Sequence, residues 1–243
     1  VTKVTEASEV EDALRSALNF SNNKCVLVEE FIEGLEFGAQ TFSVNGECSL
    51  VLMHNDTLTS PPKMIPVGHS FPFTRQDDKQ GRQTIAAIKK AVESLGILSG
   101  PANVDLILDQ QSQQVKIIEI GARMGATCLP ELVQYHTGID WVGESVKSAF
   151  GLEPDLTTTK NQSVAAIIVQ SPKEGTYRGY RLNCKPEDYN VIEFEITANK
   201  GERVNKLRNG TDRIGKVITY GKNAKDAETK AESFLENLNI KVE

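Results

Sequence analysis

The chain is short of the residues that build metal centres and disulfide frameworks: its 243 residues include four cysteines and three histidines. Cys25, Cys48, Cys128 and Cys184 lie far apart with no CxxC pair, which excludes a zinc signature and gives no sign of a disulfide framework. His54, His69 and His136 are too scattered along the sequence to predict a histidine-based metal site. No apolar run approaches the roughly 20 residues of a membrane span, and no secretory signal pattern is present. The expectation is a protein of the reducing cytoplasm that meets no membrane. A formal charge of −6 argues against a broad nucleic-acid footprint. Fixed-period repeats and low-complexity tracts are also missing.

What remains is an ordinary globular composition, with length for one large domain or two small ones. Ser8 and Glu11 fit a capping box ahead of a helix. Val10, Leu14, Ala17 and Leu18 lie on one face of that helix, which is expected to end near Phe20. Cys25 to Val28 reads as a buried strand. Asn45-Gly46, between two apolar runs, is a strong hairpin signal. His54 to Thr74, with prolines at 61, 62, 66 and 72, reads as a long irregular loop. A helix is expected from near Asp77 to a cap at Gly96, and two more lie either side of Gly138. Residues 152–162 are polar and threonine-rich and mark a soft boundary. Beyond it, strands are expected over 164–169, 191–196 and 213–220, then a last helix capped by Asn223. The implied class is α+β: an antiparallel sheet flanked by helices over 1–151, then a small α+β unit over 152–243.

Two stretches stand out chemically. The first runs from Gly100 to Leu108 and from Val115 to Arg123, two apolar runs joined by the polar turn 109–114. If the hairpin turns symmetrically about Ser112, Asp105 falls opposite Glu119 on one face. Opposed carboxylates repel at the short Cβ separation of such a pair. They require a proton, a base or a divalent cation between them. The plainer reading is two solvent-facing acids on an ordinary hairpin. The second stretch, Val28 to Phe37, places four acids in eight residues where one strand ends and the next begins. A strand end offers backbone donors and acceptors to the edge of a flat heterocycle. Phe31 and Ile32 are placed to cover its face, and Glu36 to accept from sugar hydroxyls. Taken alone, the stretch also reads as a solvated acidic turn.

Together, these stretches resemble the ATP-grasp superfamily of ATP-dependent carboxylate–amine ligases. The matching pieces are Val28-Glu29-Glu30-Phe31-Ile32-Glu33-Gly34-Leu35-Glu36, Asn103-Val104-Asp105, Ile117 to Gly125 and Thr137-Gly138-Ile139-Asp140, in the family's order and spacing. The closing Arg213-Ile214-Gly215-Lys216-Val217 to Gly221 is similar to the tail of the superfamily's amino-acid ligases. The resemblance implies that residues 1–151 are the C-terminal part of an ATP-grasp domain. It implies that backbone groups of Glu29, Glu30 and Phe31 meet adenine, Ile32 packs on the ring, and Glu36 holds the ribose. Asp105 and Glu119 would hold Mg²⁺ or Mn²⁺ against the ATP phosphates, and Arg123 would stabilise the transferring phosphoryl group. The implied partners are a small carboxylate and an amine, joined through an acyl phosphate. A homodimer is left open.

Two departures qualify the match. Gly121 stands where many members carry Asn as a further metal ligand, a form closer to the amino-acid ligases than to the carboxylases. The family's upstream glycine-rich loop and phosphate-binding lysines have no counterpart here, and the chain opens at Val1. The expectation is therefore a C-terminal portion of a ligase, inactive by itself. The alternatives are a carboxylase or carbamoyl-phosphate-type enzyme, and a nucleotide-binding module without turnover. Gly68-His69-Ser70-Phe71-Pro72 also resembles the amino-acid ligases, where such a histidine borders the substrate cavity. His69 is thus a candidate for the carboxylate or amine, or else a loop histidine bonded to backbone. Lys63, Arg75 and Arg82 read as solvated charges, and Glu131 and Tyr135 as neighbours of the same cavity.

Overall fold

The computed structural model describes residues 2–59, 65–75 and 78–243. It contains α1 (Val10–Phe20), β1 (Gly34–Val44), β2 (Glu47–Leu58), β3 (Pro66–Phe71), α2 (Lys79–Ser94), β4 (Gly100–Asp109) and β5 (Val115–Gly121). There follow α3 (Leu129–Thr137), α4 (Trp141–Ala149), β6 (Ser163–Val169), β7 (Gly175–Leu182) and β8 (Val191–Ile196). The chain closes with β9 (Arg203–Val204), β10 (Gly215–Gly221), α5 (Ala224–Glu236) and β11 (Leu238–Val242). The antiparallel sheet flanked by helices is as the sequence implied.

Eight strands form one sheet in the order β5-β4-β1-β2-β3-β6-β10-β8, and β11-β7-β9 form a second, smaller one. Strands from both sides of the polar connector 152–162, where a boundary is expected, share the large sheet: β3 pairs with β6. One face of the sheet buries Phe37, Ala39, Met53, Val104 and Leu106 against Ile88 and Val92 of α2. Further along that face, Phe234 and Ala231 of α5 cover Ile167 and Val217. The opposite face packs Phe42, Phe71, Val164 and Ile218 against Leu132 and Val133 of α3, with Trp141 at the start of α4. Alternation along each strand sends odd and even positions to the two faces, so each strand feeds both layers.

Local chemistry fixes the element ends. Asn45 and Gly46, at φ 52° and 85°, close the β1–β2 hairpin as the sequence predicts. Asp78, Asp140 and Asn223 cap their helices by accepting from Gly81, Gly143 and Asp226 backbone N–H groups. Such a cap contributes about 1 kcal/mol. The start expected for α2 at Asp77 lies outside the described residues.

Several expectations are corrected. The N-terminal capping box is Glu6 with Glu9, not Ser8 with Glu11. Cys25 to Val28 forms no strand; Leu27 and Val28 are largely exposed. The apolar stripe of α1 is not buried either. The expected loop 54–74 contains the end of β2 and all of β3, with Pro66 at the first strand position, where a missing N–H is tolerated. No helix among the described residues is long and apolar enough to cross a membrane.

Candidate active site

The site is assembled by strand register. Gly38 on β1 pairs with Asp105 on β4 and with His54 on β2, and Asp105 pairs in turn with Glu119 on β5. Glu119, Asp105, Gly38 and His54 therefore form one row across four strands, and paired residues share a face. Two residues along, Glu36 and Asp56 stand level at the end of the β1–β2 ladder, and Asp56 pairs with His69 on β3. Two residues the other way, Gln40 pairs with Asn103. All of these side chains leave the face opposite α2.

The expected Asp105–Glu119 pair is present, but not through a turn symmetric about Ser112. Near the turn Leu106 pairs with Ile117 and Leu108 with Val115, so a continuous ladder would set Asp105 against Ile118. A bulge leaves Ile118 unpaired and returns Glu119 to the site face. Gly38 is required by the same crowding, because a Cβ there would overlap Cε1 and Nε2 of His54.

A cavity of about 250 Å³ opens over these rows, lined among others by Glu36, Asp56, His69, Asp105, Ile118 and Arg123. Burial pushes the Glu36 carboxyl up, and the charges of Asp56 and Asp105 push it further. Such a carboxylate gains from any cation or hydroxyl donor that enters. Arg123 lies at the exposed rim and donates from Nη1 to the Met124 carbonyl at 3.0 Å. Asp105 is half-buried and accepts from Asn103 Nδ2 at 2.8 Å. Two carboxylates, one of them open to solvent, suit a hard divalent cation that keeps part of its water and takes phosphate oxygens.

The histidines give the clearest correction. His54 and His69, fifteen residues apart in sequence, meet around one carboxylate: their Nδ1 atoms lie 2.8 and 2.6 Å from Asp56 Oδ1. Burial disfavours the Asp56 carboxylate, but His54 and His69 overcome this and hold its pKa well below the ordinary range. Burial pushes the His69 imidazole down against the opposing pull of Asp56. The three side chains also form a cluster able to hold a metal ion. Neither His54 nor Asp56 was marked by sequence, because the strand pairing that unites them crosses the stretch read as a loop.

The stretch expected to meet adenine is less gathered. Glu29, Glu30 and Phe31 are exposed and outside regular structure, and Ile32 is half-buried. Lys3 sits over the Phe31 ring at 3.8 Å and pairs with Glu33. Only Glu36 of that group lines the cavity. Glu131 and Tyr135 point elsewhere: Lys216 bridges Glu131 and Glu193 at 2.9 Å each, and Tyr135 donates to Glu193. Lys63 lies outside the described residues. A larger cleft of about 980 Å³, bordered by Ser171, Lys206, Glu236 and Asn239, carries a single acid and a single lysine among its described lining residues. The chemistry therefore concentrates in the smaller cavity.

Comparison with known proteins fits this geometry. The ATP-grasp domain profile matches residues 3–127, and that of the L-amino acid ligase C-terminal domain 2 matches residues 171–243. The chain belongs to the ATP-grasp family, whose solved relatives include ligases. It is 24% identical over 219 residues to the uncharacterized protein y4rH of Sinorhizobium fredii, and 20% identical over 191 residues to an L-arginine-specific L-amino acid ligase of Bacillus subtilis. These alignments cover 88% and 78% of this chain but 43% and 46% of the relatives, so the chain spans about half their length. Phosphoribosylglycinamide synthetase of Anaerococcus prevotii superposes with a TM-score of 0.78 at 29% identity, over 98% of this chain and 61% of that one. The L-amino acid ligase of Bacillus licheniformis has the same fold, with a TM-score of 0.78 at 21% identity over 99% and 62%.

Proposed function

We propose that this chain supplies the metal- and substrate-facing part of an ATP-dependent carboxylate–amine ligase acting on amino acids. The observation that carries the reading is the bulged β4–β5 register, which sets Glu119 against Asp105, itself lining one cavity with Glu36 and Arg123. In this reading Asp105 and Glu119 hold Mg²⁺, which neutralises charge on the triphosphate. The Glu29–Ile32 stretch takes the adenine and Glu36 the ribose. Arg123 contacts the phosphoryl oxygens as a substrate carboxylate becomes an acyl phosphate, since an arginine binds such oxygens in bidentate fashion. His69 faces the amine or carboxylate that completes the amide bond. Catalysis of this kind is mostly positioning and electrostatic stabilisation. The match of residues 171–243 to an amino-acid-ligase domain favours amino acids as substrates.

The test is titration of the chain with Mn²⁺ and ATP, followed by ultrafiltration and measurement of the Mn²⁺ retained with the protein, since ATP alone also depletes the free ion. The expected result is ATP-dependent capture of Mn²⁺ that Asp105→Ala and Glu119→Ala each abolish. Capture unchanged in both variants would refute the metal assignment. Phosphate release with an amino-acid panel reads the substrate class.

A further inference from the structure

Asp105 is the last member of a buried polar chain that crosses two strands and ends on the loop carrying Arg123. The Gly125 backbone N–H donates to Gln40 Oε1 at 2.9 Å. Gln40 Nε2 donates to Asn103 Oδ1 at 2.7 Å, and Asn103 Nδ2 donates to Asp105 Oδ1 at 2.8 Å. Gln40 is wholly buried and Asn103 is 7% exposed. A backbone N–H can only donate, so Gln40 must present its oxygen to Gly125 and its nitrogen to Asn103. Asn103 must then present its nitrogen to Asp105. One backbone group thus sets the polarity of both amides, and Asp105 Oδ1 is held by a donor while its second oxygen is left for other partners. Gly125 admits no side chain, because a Cβ there would lie 2.7 Å from both Asn103 Oδ1 and Gln40 Nε2.

We propose that Gln40 and Asn103 are positioning residues that aim the Asp105 carboxylate at the cation and tie that aim to the seating of the Arg123 loop. The proposal rests on the Mg-ATP reading above. Groups that orient a metal ligand from behind commonly change metal affinity by about 10–100-fold when removed.

The discriminating variant is Gln40→Glu. It is isosteric and adds a negative charge near the cation, so simple electrostatics predicts tighter metal binding. The relay predicts the opposite. A carboxylate at 40 still accepts from Gly125 but cannot donate to Asn103, so Asn103 turns its amide and presents oxygen to Asp105. With Mn²⁺ and ATP as the probe, the expected result is about tenfold or greater weakening in Gln40→Glu, Asn103→Leu and Gly125→Ala. Gly125→Ala acts from the loop rather than the sheet, so it keeps the test open should a strand variant fail to fold. Urea midpoints accompany each variant, and only folded protein is read. Wild-type binding that Asp105→Ala removes, but that Gln40→Glu leaves unchanged or tightens, overturns the relay and spares the Mg-ATP reading. A wild-type chain that captures no Mn²⁺ with ATP overturns both.

Discussion

At the scale of single residues, Asp56 does the most with one atom. Its Oδ1 accepts from both histidines, each of which presents its Nδ1–H to the one carboxylate oxygen. The Nε2 of His54 is buried without a partner. Burial lowers the pKa of His69, and also that of His136, whose Nδ1 meets the Gln162 carbonyl. In the unfolded chain both histidines take a proton near pH 6.5, while the native imidazoles resist until lower pH. The unfolded state therefore binds more protons in that window, and stability falls as pH drops below about 6.5. The lowered pKa of Asp56 acts in a different range: its contribution is present above the ordinary carboxylate pKa and is lost only in stronger acid. Urea midpoints measured between pH 7.5 and 5.5 should decline, and the decline should be shallower in His69→Gln. A flat profile contradicts a buried neutral His69. Gly38 offers a second residue-scale test. Gly38→Ala drives a methyl into the His54 ring and should cost about 1–3 kcal/mol by denaturant unfolding, the usual penalty of overpacking. A loss under ~0.5 kcal/mol, the size of a neutral surface change, would show that His54 is free to move aside.

At the scale of elements, the β5 bulge decides whether the acids meet. Deleting Ile118 removes the extra residue and lets the turn-side register run on, so Asp105 would face the former Glu119 without a step. Val104 and Asn103 would keep Ile120 and Gly121 as partners, so the Arg123 loop is entered at the same point. The chain should remain folded, since β5 is an edge strand whose residues are mostly exposed. Retention of Mn²⁺ through ATP should therefore survive both the deletion and Ile118→Ala, since each keeps Asp105 opposite Glu119. Loss in the deletion alone would mean that the bulge does more than align the two acids. This element also shows what sequence could and could not give. The apolar runs and the two acids were legible from spacing, while the bulge that aligns them was not, because it depends on where a six-residue turn closes. β3 was hidden by its own prolines, and with it the cluster of His54, Asp56 and His69. The small sheet was not legible: β7, its central strand, carries two glycines among polar residues, and β11, at its edge, alternates over only five residues. The Asn45-Gly46 turn and the helix cap at Asn223 were legible because a single local interaction specifies each.

At the scale of the whole molecule, the question is whether the polar connector 152–162 separates two stability units. Its composition suggests a boundary, and the two matched family segments lie on opposite sides of it. The hydrogen bonds run across it: β3 gives its outer edge to β6, and Ser70, beside His69, donates to Glu228 of α5 at 2.6 Å. Lys216 on β10 meets Glu131 on α3 in a partly buried ion pair. Separating the segments would open a sheet edge in the middle of the core and strip Phe71 and Val164 of their shared layer. Cooperative unfolding follows when neither part retains a covered face without the other. Trp141, the only tryptophan, is buried and packs edge-on to Phe42 in the layer that also holds Val164 and Ile218, so its fluorescence reports that layer. Far-UV circular dichroism reports the whole chain. The expected outcome is one urea transition with the same midpoint by both probes. Amide exchange in β4 and β10 should converge on a single opening free energy, because residues that open only with the whole molecule share its stability. A second circular dichroism transition that leaves Trp141 fluorescence unchanged would instead make 152–243 a unit of its own. The contact between Ser70 and Glu228 would then be a docking contact between domains, one able to carry movement of α5 directly to His69.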